Sequence, residues 1–205
     1  MNLTKMLELT IAGREDTSKL LMLEDMIKGL INQQEASKKG NLSLFKQVEK
    51  YIKTFVKVEP NKTNFHGICI HYNNTYFTNT RSLFRINHVL EGFNEVKLPE
   101  AVYTMIDEAR NNNRIEVDIP VLSELKAIQK TAKAAQKAGK HKSILTIEEA
   151  NFKIHNSYVD IELLIEVLEV LGNNVSMLAN EKKNSLVYFK GDNGEAILLP
   201  LNRRD

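Results

Sequence analysis

The chain has one cysteine, Cys69, no tryptophan and four prolines in 205 residues. A single thiol excludes an internal disulfide and fits a reducing compartment. No apolar run approaches the roughly 20 residues that cross a bilayer. The opening MNLTKMLELTIAGRED has too short and too charged an apolar stretch for a secretory signal. These absences point to a cytoplasmic protein with no membrane partner. GxxxxGK[ST], GxGxxG and GxSxG patterns, which would mark phosphate, dinucleotide or acyl chemistry, are missing as well. His66, Cys69 and His71 share one segment, but strand alternation puts only Cys69 and His71 on the same face, and two ligands do not make a zinc site. Asp107-Glu108 and Glu148-Glu149 are adjacent pairs whose side chains diverge, which does not suit acid–base work. The expectation is a protein that is not an enzyme and uses neither cofactor nor metal.

Hydrophobic content of 42% and charged content of 26% are ordinary for a globular chain. The net charge of +2 does not by itself imply nucleic acid. Its distribution is uneven. Residues 126–142 carry six lysines and no acid, whereas 157–171 carry Asp160, Glu162, Glu166 and Glu169 and no base.

Apolar spacing of three and four predicts helices over 17–36, capped by Thr17 or Ser18, and over 43–57, capped by Ser43. In the second of these, Leu44, Val48, Ile52 and Phe55 form the buried stripe. A hairpin follows, with Asn73-Asn74 between GICIHY and TYFT, and a second is expected where Asn193-Gly194 separates LVYFK from EAILLP. Between them lie a short helix near 101–109, a strand near 114–119, a helix from a Ser123 cap to a Gly139 stop, and a hairpin-like run in ILTIEEANFKI. A helix over 157–171 precedes the last strands. The chain thus contains a helix followed by hairpin strands twice over, from Leu44 to Ile86 and from Asn156 to Leu201. No Gly/Ser/Pro-rich linker divides it. The expected organisation is an N-terminal helical extension, residues 1–41, and one domain, residues 42–205.

In that order the pieces resemble the bacterial DNA polymerase III β sliding-clamp family, over roughly residues 43–205. Units of that family carry Gly-Val/Ile, a strand, a turn, a second strand and Thr-Asp-Gly-x-Arg-Leu. The corresponding residues here are Gly67-Ile68, the strands to Phe77, and Thr78-Asn79-Thr80-Arg81-Ser82-Leu83. Asn79-Thr80 replaces Asp-Gly, and Arg81 falls one place early. Asn156-Ser157-Tyr158-Val159 before Leu163 and Leu164 resembles the family's Asn-x-x-Tyr-Leu stretch, and Leu199-Pro200-Leu201-Asn202-Arg203 its Met-Pro-Val/Met-Arg end. The resemblance implies an α/β fold of α+β type, a DNA-clamp-like domain of two pseudo-symmetric helix-plus-antiparallel-sheet units with helices on one side of the sheets. It implies a replication accessory protein that binds double-stranded DNA without reading sequence, replication proteins, or both, as a homo-oligomer if DNA is encircled. The expected source is a phage or other mobile element, and Lys- and Asn-rich usage hints at a low-GC genome.

Three sets of residues are candidates for function. Lys46, Lys50, Lys53 and Lys57 share one helical face, as do Lys126, Lys130, Lys133 and Lys137, the latter on a helix expected to project as an arm. Such stripes fit phosphate neutralisation, or simply a solvated face. Thr78, Leu83, Leu199 and Pro200 would form a partner-binding pocket by the resemblance. Leu42, Leu44 and Phe45 lie in NLSLF, which is similar to the Gln-Leu-x-Leu-Phe segment of clamp clients, although Leu44 and Phe45 also begin a core stripe. Against a DNA ring stands the row Glu162, Glu166 and Glu169, which would face phosphates from the second helix. The other reading is a protein-interaction module that keeps the clamp fold without encircling DNA.

Overall fold

A computed structural model of the chain describes Ile27 and residues 42–55, 66–90, 97–139 and 150–201. Two compact units are present: Met1–Gln47 with Leu90–Asn94, and Val48–Val89 with Glu95–Asp205. In the first, Ile27 is helical and exposed, while Leu44, Phe45 and Leu90 are buried. The rest of the helix expected over 17–36 lies outside the described residues.

The second unit is built on one antiparallel sheet. Its strands are β1 (His66–His71), β2 (Asn74–Asn79), β3 (Ser82–Ile86), β4 (Ile115–Val117), β7 (Ser176–Ala179), β8 (Val187–Gly191) and β9 (Gly194–Leu198), with β5 (Asn151–Ile154) and β6 (Ser157–Asp160) pairing separately. The order across the sheet is β1-β2-β3-β9-β8-β7-β4. Two three-strand meanders, β1-β2-β3 and β7-β8-β9, therefore join edge to edge through β3 and β9. Four helices are described: α1 (Leu42–Phe55), α2 (Glu100–Asn112), α3 (Leu122–Lys137) and α4 (Ile161–Leu171).

Register explains the layers. Ile68, Phe77, Phe84, Ala196, Phe189 and Met177 are successive cross-strand partners, so one apolar row crosses six strands on a single face. Phe77 and Phe84 stack at 4.3 Å within it. The adjacent rows point the other way. There Cys69, Tyr76, Leu83, Tyr188 and Ile197 pack with Leu98 and with Val102, Ile106 and Ala109 of α2. α4, whose Leu164, Val167, Val170 and Leu171 are fully buried, packs on β8 and β9 over the first face. The expectation of helices on one side of the sheets is thus corrected: α2 covers one face and α4 the other. The cause is visible in β2, β3 and β9, which bury nearly every residue instead of alternating, as strands covered on both faces do. Each fully buried Leu or Phe contributes about 1.5–3 kcal/mol.

Turn chemistry sets the boundaries. The β1–β2 turn is Tyr72-Asn73, with φ of 45° and 60°, one residue before the expected Asn73-Asn74. The left-handed pair matches the twist of a two-residue hairpin. At the β2–β3 tip the Asn79 carboxamide oxygen accepts from the Arg81 and Ser82 amides and the Ser82 hydroxyl, and Thr80 adopts φ 69°. Helix α4 starts at Ile161, not 157, because Ser157–Asp160 pairs with β5 and Asp160 accepts the Glu162 amide as N-cap. Helix α3 starts at Leu122 after Val121, so Ser123 lies in its first turn and is no cap. Gly139, at φ 72°, ends it as expected.

Two backbone positions are open to test. Gly194 pairs with Ile86 at φ 149°, and a Cβ there would sit 2.1 Å from the Arg85 carbonyl oxygen. Gly194→Ala is expected to cost at least about 2 kcal/mol by urea denaturation. Thr80→Gly should instead add about 1 kcal/mol, because a β-branched residue is strained in the left-handed region.

Candidate functional site

Three arrangements in the second unit carry polar or binding chemistry. The first is a cavity of about 240 Å³ lined by Thr78, Thr80, Ser82, Leu83, Val102, Met105 and Leu199. The β2–β3 tip supplies one wall, α2 a second, and the chain leaving β9 a third. Leu199 is fixed by its amide, which donates to the Arg81 carbonyl at 2.9 Å. The Thr78 hydroxyl donates to the Ser82 carbonyl at 2.7 Å and the Ser82 hydroxyl to Asn79 at 2.8 Å. These two hydroxyls are satisfied within the hairpin, so the cavity offers a visitor mainly aliphatic surface. Of the four pocket residues expected, Thr78, Leu83 and Leu199 come together here, and Pro200 is half-buried but not in the lining. Val102 and Met105 were missed because α2 reads as an ordinary amphipathic helix, and nothing in its spacing says which strand ends it will meet.

The second arrangement surrounds the acidic row of α4. Lys126 of α3 pairs with Glu169 at 2.6 Å, and Lys133 pairs with Glu162 at 2.7 Å. Gln129, between them on the same face, donates to Glu162 at 3.1 Å. From α1, Tyr51 donates to Glu169, and Lys50 approaches it at 3.8 Å. Burial works against the Glu169 charge, but the Lys126 and Tyr51 hydrogen bonds outweigh it and hold the carboxyl below its ordinary range. Glu166 is the opposite case. Burial first, and then the neighbouring Glu162 and Asp160, push it up to about 7, and its Oε2 has no hydrogen-bond partner among the described residues.

The lysine stripes are therefore divided. All six are exposed, but Lys50, Lys126 and Lys133 reach acids of α4, while Lys46, Lys130 and Lys137 make no ion pair with a described residue. Only the backbone of Lys53 is described, and Lys57 lies outside the described residues. The expected projecting arm is corrected, since α3 packs along α4 with Leu125 and Ala132 buried. Asn41 of the NLSLF segment lies outside the described residues; Leu42, Leu44 and Phe45 open α1, with Leu44 and Phe45 buried and Leu42 partly so, and these side chains are not presented to a partner's pocket.

The third arrangement was not foreseen. On the α2 face, Glu195 pairs with Arg85 and with Arg110 at 2.6 Å, and accepts from the Tyr188 hydroxyl. Asp107 pairs with both arginines, at 3.0 and 3.1 Å. Burial opposes the Glu195 charge, yet the Tyr188 and Arg85 hydrogen bonds hold its carboxyl below the usual range. Arg85 and Glu195 are cross-strand partners, a pairing that only the β3–β9 register reveals. With every charge paired, the cluster ties α2 to the sheet. Beside it, Cys69 lies 3.3 Å from the Tyr103 hydroxyl, and His71 stacks on Tyr103 at 3.8 Å. No group of His, Cys, Asp and Glu suited to a metal is found among the described residues, nor is any helix there long and apolar enough to cross a membrane.

Comparison with protein-family models, curated proteins and solved structures finds no match.

The divided lysine stripe makes a direct prediction. Lys126→Glu faces Glu169 with a like charge and should lower the melting temperature measurably. Lys130→Glu, one turn along the same helix but exposed, should leave it within about 1 °C, as for a surface change worth less than about 0.5 kcal/mol.

Proposed function

We propose that this chain is a replication accessory protein of sliding-clamp type in which the clamp-like domain, residues 42–205, works as a protein-interaction module. Its partner is a replication protein, and the contact is made by apolar side chains of a short peptide entering the cavity between the β2–β3 tip and α2. The observation that carries this reading is the cavity itself: Leu199, far in sequence from Thr78 and Leu83, joins them, Val102 and Met105 in lining one aliphatic recess. Three features support the clamp-type kinship. The strand order β1-β2-β3-β9-β8-β7 reads as two equivalent meanders about the β3–β9 junction, which fits a pseudo-two-fold. Each meander also has a helix before it, and these helices meet through Tyr51 and Glu169. Thr80 takes the left-handed conformation at the turn position where the family pattern has glycine.

The second reading, a homo-oligomer encircling double-stranded DNA, draws on the exposed Lys46, Lys130 and Lys137. It is the weaker of the two, because the acidic row of α4 is covered by α3 and half of the described lysines in the stripes are engaged there. No catalytic role is proposed for any residue.

Fluorescence anisotropy with a labelled peptide ending in Gln-Leu-Ser-Leu-Phe tests the first reading. Saturable binding is expected, with at least about tenfold loss, roughly 1.4 kcal/mol, in Met105→Glu, whose side chain is only partly buried and whose fold should survive. Absence of saturable binding to the wild-type chain would refute it. A duplex-DNA titration that instead shows a steep fall of affinity with salt would favour the second.

A further inference from the structure

We propose that the seam where α1, α3 and α4 meet is a pH-sensitive joint, in which ionisation of Glu166 loosens α3 from α4. The proposal goes beyond the peptide-binding reading and does not depend on it. Its basis is an asymmetry along one helix face. Glu162, Glu166 and Glu169 succeed one another on α4, and among the described residues the first and last make ion pairs with bases while the middle one makes none. Glu162 receives Lys133 and Gln129 from α3. Glu169 receives Lys126 from α3 and Tyr51 and Lys50 from α1. Glu166 lies between these anchored neighbours with a buried, unpartnered Oε2. The remaining charge on its own helix end is Asp160, which is already paired with Arg81 at 2.7 Å. Among the described residues, Glu162, Asp160 and Glu169 all disfavour a charge on Glu166. Of the bases, Lys126 and Lys133 are engaged elsewhere, and Lys50, which also draws on Glu166, is 69% exposed and contributes only weakly.

Burial favours the neutral form of this carboxyl while the seam is closed. Opening exposes it to water and to its ordinary acidity. The folded chain keeps a proton that the opened chain releases, in the window between 4.5 and about 7. In that window the closed state binds more protons, so closure weakens as pH rises and levels off above it. Over pH 6 to 8, those two values correspond to an about tenfold rise in the opening equilibrium. The loss falls on α3 because its Lys126 and Lys133 anchors lie on either side of Glu166, and its buried apolar surface, Leu125 and Ala132, is small.

Amide hydrogen exchange on the full chain at pH 6 and pH 8, expressed as protection factors, tests this. Protection in α3 should fall about tenfold across that range while β8 and β9 stay unchanged. In Glu166→Gln the α3 protection should be independent of pH. Wild-type protection that does not change, or a Gln variant with the same pH dependence, would overturn the proposal. A carboxyl carbon-13 titration of wild-type Glu166 gives a check that needs no variant. A midpoint near 7 supports the joint, and one near 4.5 removes it.

Discussion

The row of glutamates on α4 is the constraint around which the second unit is arranged. A helix whose other face is Ile161, Leu164, Ile165, Leu168 and Leu171 must pack on a sheet, and its carboxylates are then carried to the outer side of that layer. Left uncovered, they would only repel one another. Lys126 and Lys133 of α3, with Lys50 and Tyr51 of α1, answer that charge. Exposed ion pairs contribute little singly, about 0–1 kcal/mol. Here several converge on two carboxylates that are themselves largely shielded, which is where pairing matters most. The charge of the two lysine stripes and that of the acidic row are thus largely parts of one interaction.

That interaction bears on the two proposed functions. A channel face needs cations free to meet phosphates, and half of the described lysines in the stripes are occupied. A module that grips a peptide needs an apolar recess on a rigid frame. The β2–β3 tip, braced by Asn79 and by the Arg81–Asp160 pair, supplies the frame. α2 is held to the sheet by the Glu195 cluster and supplies Val102 and Met105. The aliphatic character of the recess follows from hydroxyls that are satisfied inside the hairpin.

Much of the local structure was legible before the fold was known. Helix α1 follows from three-and-four spacing and α3 from its composition and its Gly139 stop. The β1–β2 and β8–β9 turns are announced by their Asn and Gly residues but lie one residue earlier, at Tyr72-Asn73 and Asp192-Asn193. Legibility failed where a long-range partner overrules a local signal. Ser157–Asp160 has helix-compatible spacing but pairs with Asn151–Ile154, and that displaces the start of α4. Ser123 is a good cap by type, yet the cap position falls on Val121, two residues earlier. The face assigned to α2 could not be read at all, because β2, β3 and β9 are apolar on both sides. Thr78, Leu83 and Leu199 could be named in advance by resemblance, whereas Val102, Met105 and the Arg85–Glu195 pair depend on strand register. The lysines were visible as stripes, but their partners lie on another helix.

The most direct measurement is a thermodynamic cycle on Lys126 and Glu169. The account predicts that Lys126→Glu and Glu169→Lys each destabilise the chain, that the doubly exchanged protein recovers stability by at least about 0.5 kcal/mol relative to the sum of the single changes, and that high salt erodes this coupling. Strictly additive effects, insensitive to salt, would contradict it and return the lysine stripe to the solvent, or to DNA.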